Sequence, residues 1–487
     1  MAINDDHQPQ AQSRGRIAVL TAVAVSLFLL LTLPRLLSHG MFVDGVVYAA
    51  IARNLAIGRG SLWQPHFTDT QYPVFVEHPP GGLWLESLAF RLFGDSVFVE
   101  AFFGLVMGLI LLWLLVRVWR AICFEESVGS WMPLALLSIT PVVSFAFSNN
   151  LLECQETVCT TAAVGLGICA VRCRSTWHAL LLGAGLGFLV GAACLVKGPT
   201  GLFPVIVPLL AALVLLPGSV RPAVVASAGV ALALGVLALA LYVSPEAHAS
   251  IAAYLHQQVW RSLSGERTTG QSRLATLSLL SGELVIPAAV LVPLWIWARR
   301  EAPPVLDRKT LFLLAVALSA SLPIMLSSRH ANRYLVPSLP FFAMALSALF
   351  SKAGARLEGL LIRSERSRRM LVAVAALLVI VAVTAMLAER GKVRKAVGFH
   401  NDFTLQPLLI PEGEVIGVCP DGLLTFQLRA EFARSFNASL AYDLDHRFLL
   451  VSSESSCSLP ERCRPFHPPQ PIHYRLYDCG TTESPAP

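Results

Sequence analysis

The sequence reads as an all-α polytopic membrane protein with about 11 transmembrane helices, followed by a small α+β domain at the C-terminal end. Three observations carry this. First, 55% of the 487 residues are hydrophobic and 14% charged, with mean hydropathy +0.63, whereas globular chains average roughly 25% charged residues. Second, apolar runs recur at about the 20-residue length that a helix needs to cross ~30 Å of hydrocarbon. Third, the basic residues between the runs follow one sidedness rule from loop to loop. The formal charge of +6 therefore speaks for topology. No basic patch interleaved with aromatic residues appears, and nucleic acid is not an expected partner.

Taken in order, "MAINDDHQPQAQSRGR" is a polar N-terminal tail, 1–16, with Arg14 and Arg16 before the first run. That run is long, and "LPRLLSHG" offers no small-residue cleavage site, so it reads as an uncleaved signal-anchor. Runs follow near 17–37, 96–116, 128–147, 157–171, 179–196, 199–216, 223–243, 274–298, 310–326, 334–350 and 370–388. The first outer loop, 38–95, holds two helix-like pieces. In the first, Asp44 can cap a helix, Val47, Ile51 and Leu55 repeat every four residues, and Gly58 and Gly60 end it. The second is "GGLWLESLAFRLFG". Both are expected to lie along the membrane surface.

With the N-terminus cytoplasmic, the inner loops hold Arg117 and Arg120, Arg172 and Arg174, Arg221, "ARREAPPVLDRK" and "SKAGARLEGLLIRSERSRRM". Every inner connection thus carries Arg or Lys. An odd number of spans places the tail outside, giving a transmembrane domain over 17–390 and an extracytoplasmic domain over 391–487. Cys419, Cys457, Cys463 and Cys479 fall in that tail without a CxxC pair. They suggest disulfides, with three pairings open. "GEVIGVCPDG" reads as a strand and turn. Asn437-Ala438-Ser439 matches a glycosylation acceptor, a tripeptide too common by chance to carry weight.

Five outer segments bear polar residues at the expected edge of the bilayer. Asp44 and Tyr48 stand one helical turn apart, and Asp44 is a candidate general base. In "FVEHPPGGLW", Pro79 and Pro80 forbid helix and hold Glu77 and His78 on a rigid corner. "SNNLLECQETVCTT" puts Glu153 in a short outer loop and Glu156 at the opening of the next span, where an ionisable group is costly. In "CLVKGPTGLFP", Lys197 ends a span on the side where basic residues are unexpected, a candidate phosphate holder. In "SSRHANRYLVP", Arg329 and Arg333 are four apart and could share one helix face aimed at an anion. Acids beside cations on one side of a membrane are what transfer from a phosphorylated lipid to a hydroxyl requires.

"DGVVYAAIARNLAIGRGSLWQP…EHPPGGLWLESLAFRLFGDS", "NNLLECQET", "KGPTGLFP" and "RYLVPSLPFFAMAL" resemble, in that order, the membrane glycosyltransferases of the GT-C fold. The similar branch contains the lipid A aminoarabinose transferases and the bacterial relatives of protein O-mannosyltransferases. The resemblance covers about 40 to 350. It implies a bacterial inner-membrane enzyme that takes a sugar from a polyprenyl-phosphate carrier and gives it to a lipid, glycan or protein hydroxyl at the periplasmic face. The family's first-loop Asp falls on Asp44 and its second acid on Glu153, with Glu156 as a competing alignment. The residue before the Pro-Pro pair is Lys in some aminoarabinose transferases and His78 here. The resemblance further implies inversion at the sugar. Lys197, Arg329, Arg333, Arg261 and Arg267 would hold the donor phosphate, and Tyr48, Glu77, His78, Glu156 and Tyr334 would contact substrate. No cofactor is demanded, although Asp44 and Glu153 could hold a divalent metal. A transporter or flippase for a lipid-linked saccharide is the rival reading. The helical first loop and the one-sided polar groups speak against it, because transporters place charge near the midplane.

Overall fold

The structure, a computed structural model, describes residues 8–123, 129–264, 266, 272–404, 410–419, 425–453, 455, 457–466 and 473–480. The chain forms two compact units: Met1–Leu36 with Gly104–Ala388, and Leu37–Phe103 with Glu389–Pro487. The first outer loop therefore belongs with the C-terminal segment, and the expected boundary near 390 does not set the tail apart on its own.

The first unit contains most of the apolar helices. Among the described residues, eight helices are long and apolar enough to cross a membrane. They are Ala18–Arg35, Val99–Ile122, Leu152–Arg172, Thr176–Lys197, Val220–Val243, Ala275–Ala298, Arg308–Leu326 and Glu365–Ala388. Val99–Ile122 begins in the second unit. Two further helix pairs are as apolar but bent, each a broken span or a re-entrant loop: Trp131–Ser138 with Pro141–Ser148 at 74°, and Asn332–Leu349 with Ser351–Leu361 at 78°. The chain is thus a multi-pass membrane protein. The first bend has a local cause, since Thr140 precedes Pro141 and is driven to an extended backbone, φ −72° and ψ 119°.

The run near 199–216 is shorter and irregular. Pro199, Pro204 and Pro208 each remove a backbone donor. The segment is therefore a 3-10 helix at Pro199–Ile206, one α-turn at Val207–Leu210 and a π-turn at Ala211–Leu215. Thr176–Lys197 and Val220–Val243 approach closely because glycines face each other. A Cβ on Gly183 would meet the Ala226 carbonyl, and one on Gly229 the Leu180 carbonyl. Small residues at four-residue spacing allow such backbone contact in membranes.

In the second unit, Val43–Ala56 is a helix whose residues Gly45 to Leu55 are all buried. Other elements of the unit cover it. Gln427 Nε2 donates to Met41 O at 3.3 Å, Arg53 Nη2 donates to Ala433 O at 2.6 Å, and Asn54 Nδ2 donates to His66 O and Phe67 O, each at 3.0 Å. Gly81–Phe93 is the amphipathic one, with Leu83 and Phe90 buried and Leu85, Leu88 and Leu92 exposed.

The C-terminal segment folds as a five-stranded sheet. Its strands are β1 (Val415–Val418), β2 (Ser439–Ala441), β3 (Phe448–Ser452), β4 (Arg464–Pro465) and β5 (Tyr474–Asp478), in the order β2-β1-β3-β5-β4. β1 runs parallel to β2 and β3, and β5 antiparallel to β3 and β4. The expected strand at "GEVIGV" is β1, while the turn after it lies outside the described residues. The parallel pairing of β1 with β2 is crossed by the helix Phe426–Phe436, which Thr425 caps by accepting the Leu428 N–H. Phe399, Phe403, Phe432, Phe448, Ile416 and Leu440 share its core. Cys419 pairs with Cys457 and Cys463 with Cys479. Asn437 is buried, sits at φ +53°, and accepts from Arg59 Nη1 at 2.7 Å and Arg53 Nη2 at 3.3 Å, a structural use of the glycosylation-like tripeptide.

Candidate functional site

In the first unit, four expected residues meet: Glu153, Lys197, Arg333 and Tyr334. Glu153 stands in the first turn of Leu152–Arg172 and is 1% exposed, with Glu156 one turn further and equally buried. The span begins five residues earlier than the apolar run suggests, so Glu153 is inside the helix rather than in a loop. The reason is local: Asn150 adopts φ +52° and Leu151 is extended, which lets the helix restart at once.

Lys197 is the last residue of Thr176–Lys197, and Gly198, at φ +98°, turns the chain away. Its Nζ lies 3.0 Å from Glu153 Oε1, with side-chain exposures of 8% and 1%. Arg333 Nε lies 3.9 Å from the same oxygen. Both cations stand over the Tyr334 ring, Lys197 at 5.6 Å and Arg333 at 5.1 Å from its centroid. Lys197 is at ion-pair distance, yet neither Glu153 oxygen has a well-aligned hydrogen bond among the described residues. The group is a buried carboxyl flanked by two cations and an aromatic face, with polar capacity left over.

Tyr254 closes this region from behind. Its hydroxyl donates to Lys197 O at 3.2 Å, and a Cβ at position 198 would collide with it. Burial, and then the neighbouring Glu156, pushes the phenol above its ordinary pKa, so it stays a neutral donor. Thr200 bonds the Glu156 side chain.

The remaining expected cations differ. Arg333 sits in the 3-10 helix Asn332–Ser338, whereas Arg329 precedes it in an extended stretch, with Ala331 at φ −147°. The two arginines therefore do not share a helix face. Arg329 is exposed. Arg261 is exposed as well, with Nε 3.6 Å from Glu266. Ser262 Oγ lies 3.0 Å from Ser327 Oγ, which brings the Arg261 segment beside the Arg329 loop. Among the described residues neither arginine pairs with Glu153. Arg267 lies outside the described residues.

In the second unit, Asp44 is in the first turn of Val43–Ala56, but the helix N-cap is Phe42. Phe42 has ψ 140°, so the helix starts one residue before the acid and Asp44 is not the cap. Tyr48, one turn on and buried, meets the His78 ring edge-on at 5.6 Å. Glu77 Oε1 accepts from the Tyr72 hydroxyl at 2.9 Å, and Pro80 occupies the N-cap position of Gly81–Phe93.

The same unit contains an ion network that the sequence did not suggest. Arg434 donates from Nε and Nη2 to the two oxygens of Glu100 at 3.1 and 3.0 Å, and to Ser96 O at 2.9 Å. Its Nη1 meets Asp95 Oδ1 at 2.6 Å, and Arg53 Nη1 meets Asp95 Oδ2 at 3.4 Å. Burial works against the charge of Arg434, but Glu100 and Asp95 outweigh it and hold the guanidinium above its ordinary pKa. Contacts between residues hundreds of positions apart leave no local signal. Glu283, an acid inside the apolar helix Ala275–Ala298, is legible in the sequence by residue type.

No group of three or more His, Cys, Asp or Glu side chains able to hold a metal gathers among the described residues. Glu153 faces two cations, a donor set that does not suit a divalent ion.

The helices define a multi-pass membrane protein, and its fold is the GT-C fold. The structure is similar to that of ArnT from Cupriavidus metallidurans bound to undecaprenyl phosphate, with a TM-score of 0.61 at 15% identity over 96% of this chain and 98% of that one. It is similar to the apo state of that protein as well, with a TM-score of 0.64 at 15% identity over 97% and 99%. The Archaeoglobus fulgidus oligosaccharyltransferase in the apo form is more distant, with a TM-score of 0.47 at 14% identity over 88% and 64%. The family described as dolichyl-phosphate-mannose-protein mannosyltransferase matches residues 77–246. No curated protein matches the sequence.

Proposed function

We propose that this protein is a membrane glycosyltransferase that moves a sugar from a polyprenyl-phosphate carrier to a hydroxyl acceptor at the periplasmic face of the bacterial inner membrane. The observation that carries the reading is the cluster of Lys197, Arg333, Glu153 and Tyr334 in the membrane-spanning unit. Two cations at one buried acid suit an anionic headgroup at the edge of a bilayer. The likeness in fold to a protein solved with undecaprenyl phosphate supports the same donor class.

In this reading the acceptor oxygen attacks the anomeric carbon as the bond from that carbon to the phosphate oxygen breaks. Asp44 takes the acceptor proton. The electron pair of the broken bond stays on the polyprenyl phosphate, where Lys197 and Arg333 stabilise the growing charge. Glu153 keeps both cations in place. One displacement without a covalent enzyme intermediate inverts the anomeric centre. The acceptor is a lipid, a glycan or a protein, and His78 in place of Lys before the Pro-Pro pair marks where the donor sugar differs from aminoarabinose.

The test follows a labelled sugar on polyprenyl phosphate in membrane vesicles. Label appearing on a new acceptor, and absent from vesicles lacking the protein, is the expected outcome. Label that crosses the membrane while still on its original lipid would instead make the protein a flippase.

A further inference from the structure

Ala275–Ala298 is mostly open to lipid, but Thr276, Leu280, Glu283, Pro287 and Leu291 form one buried stripe along it. Two of these are polar. Thr276 Oγ1 lies 2.8 Å from His330 Nδ1. Glu283, about 12 Å along the helix from its start and 7% exposed, makes two bonds from its two oxygens. Oε2 accepts the Val142 backbone N–H at 2.8 Å, and Oε1 accepts from Asn332 Nδ2 at 3.0 Å.

Those partners lie on the two segments that lead to Glu153 and to Arg333. Val142 is the second residue of the helix Pro141–Ser148, after which Asn149, Asn150 and Leu151 lead into the helix that bears Glu153. Asn332 opens the 3-10 helix whose next two residues are Arg333 and Tyr334. An acid inside a span is costly unless it is used, and the mechanism above does not use this one.

We propose that Glu283 is a positioning residue that sets Arg333 against Glu153. It ties the segment before the acid and the segment bearing the cation to one rigid helix, with Thr276 and His330 as a second tie one residue beyond Ala331. The inference rests on the donor-phosphate reading. Its consequence is that loss of the bridge weakens donor binding while the chemistry, assigned elsewhere, continues once donor is bound.

The experiment compares full-length protein in nanodiscs, with undecaprenyl phosphate as the binding probe and labelled sugar transfer as the second readout. Asn332→Ala removes the bond to the cationic segment and leaves Glu283 bonded to Val142. It is expected to weaken undecaprenyl phosphate binding about 10-fold and to raise the donor KM by the same factor with little change in kcat. Glu283→Leu, which removes both bonds, is expected to do the same or more. Glu283→Gln is expected to recover most of that loss, because an amide can accept from Val142 and donate to a flipped Asn332. A kcat loss with donor affinity intact in Asn332→Ala would overturn the inference, as would a Glu283→Gln variant no better than Glu283→Leu. Arg333→Gln separates this from the underlying reading. If it too binds undecaprenyl phosphate at full affinity, the donor-phosphate reading fails, whereas a defect in Arg333→Gln alone removes only the role given to Glu283.

Discussion

Replacing Lys197 with Met separates what its ion pair does for the fold from what it does for the donor. At 3.0 Å from Glu153 Oε1 and an effective dielectric of about 20, the attraction is about 5 kcal/mol before desolvation is counted. Removing one partner of a buried pair leaves the other uncompensated and typically costs about 3–5 kcal/mol. Arg333, 3.9 Å from the same oxygen, keeps part of the compensation, so the lower end, about 3 kcal/mol, is expected. The double variant Lys197→Met/Glu153→Gln removes both charges and should recover most of that stability in a melting experiment on the detergent-solubilised protein. Donor binding should not recover. A lost charge-assisted contact of about 1.5–3 kcal/mol corresponds to about 10–150-fold weaker binding, read by titration with undecaprenyl phosphate. A double variant that binds the lipid phosphate and transfers sugar like the wild type would show that the pair serves packing alone.

Arg434→Met strips the counter-charge from Glu100 and Asp95 and should cost about 3–5 kcal/mol. Thermal unfolding should show a smaller loss when Glu100→Gln is added. Replacing Cys419 and Cys457 by Ser opens the loop closed by a 38-residue separation and should cost about 2–4 kcal/mol, visible as faster proteolysis within 410–480. Burial, then the neighbouring His400, lowers the pKa of His39, with Glu431 opposing. The folded state therefore binds fewer protons than the unfolded chain as pH falls through the ordinary histidine range near 6.5. Stability should drop from pH 7.5 to pH 5.5, and His39→Gln should flatten that drop in a melting series.

Much of the membrane architecture was legible because its cause is local. Each apolar run has a helical segment over it, and Lys197 and Glu153 stood out as charges in apolar surroundings. What failed depended on backbone detail or on distant partners. Asp44 looked like a cap, yet Phe42 already has the extended backbone that starts the helix. Arg329 and Arg333 have helical spacing, but their helix begins at Asn332. The irregular path over 199–215 follows from three prolines that run length alone ignores. The cysteine pairing waits on the order of β1, β3 and β5, which no spacing encodes. Burial of Val43–Ala56 depends on Phe426–Phe436, nearly the whole chain away, and a pattern within the helix cannot report it. The partners of Glu283 left no local signal, because its bonds reach across to two other segments.

The most direct measurement is single-turnover transfer by the purified protein in proteoliposomes, with polyprenyl-phosphate-linked sugar as the donor and Asp44→Asn as the comparison. The account predicts transfer with inverted anomeric configuration in the wild type, a fall of about 10²–10⁴-fold in the variant, and donor binding that is unchanged. An Asp44→Asn protein that transfers sugar at the wild-type rate, or a wild-type product of retained configuration, would contradict it.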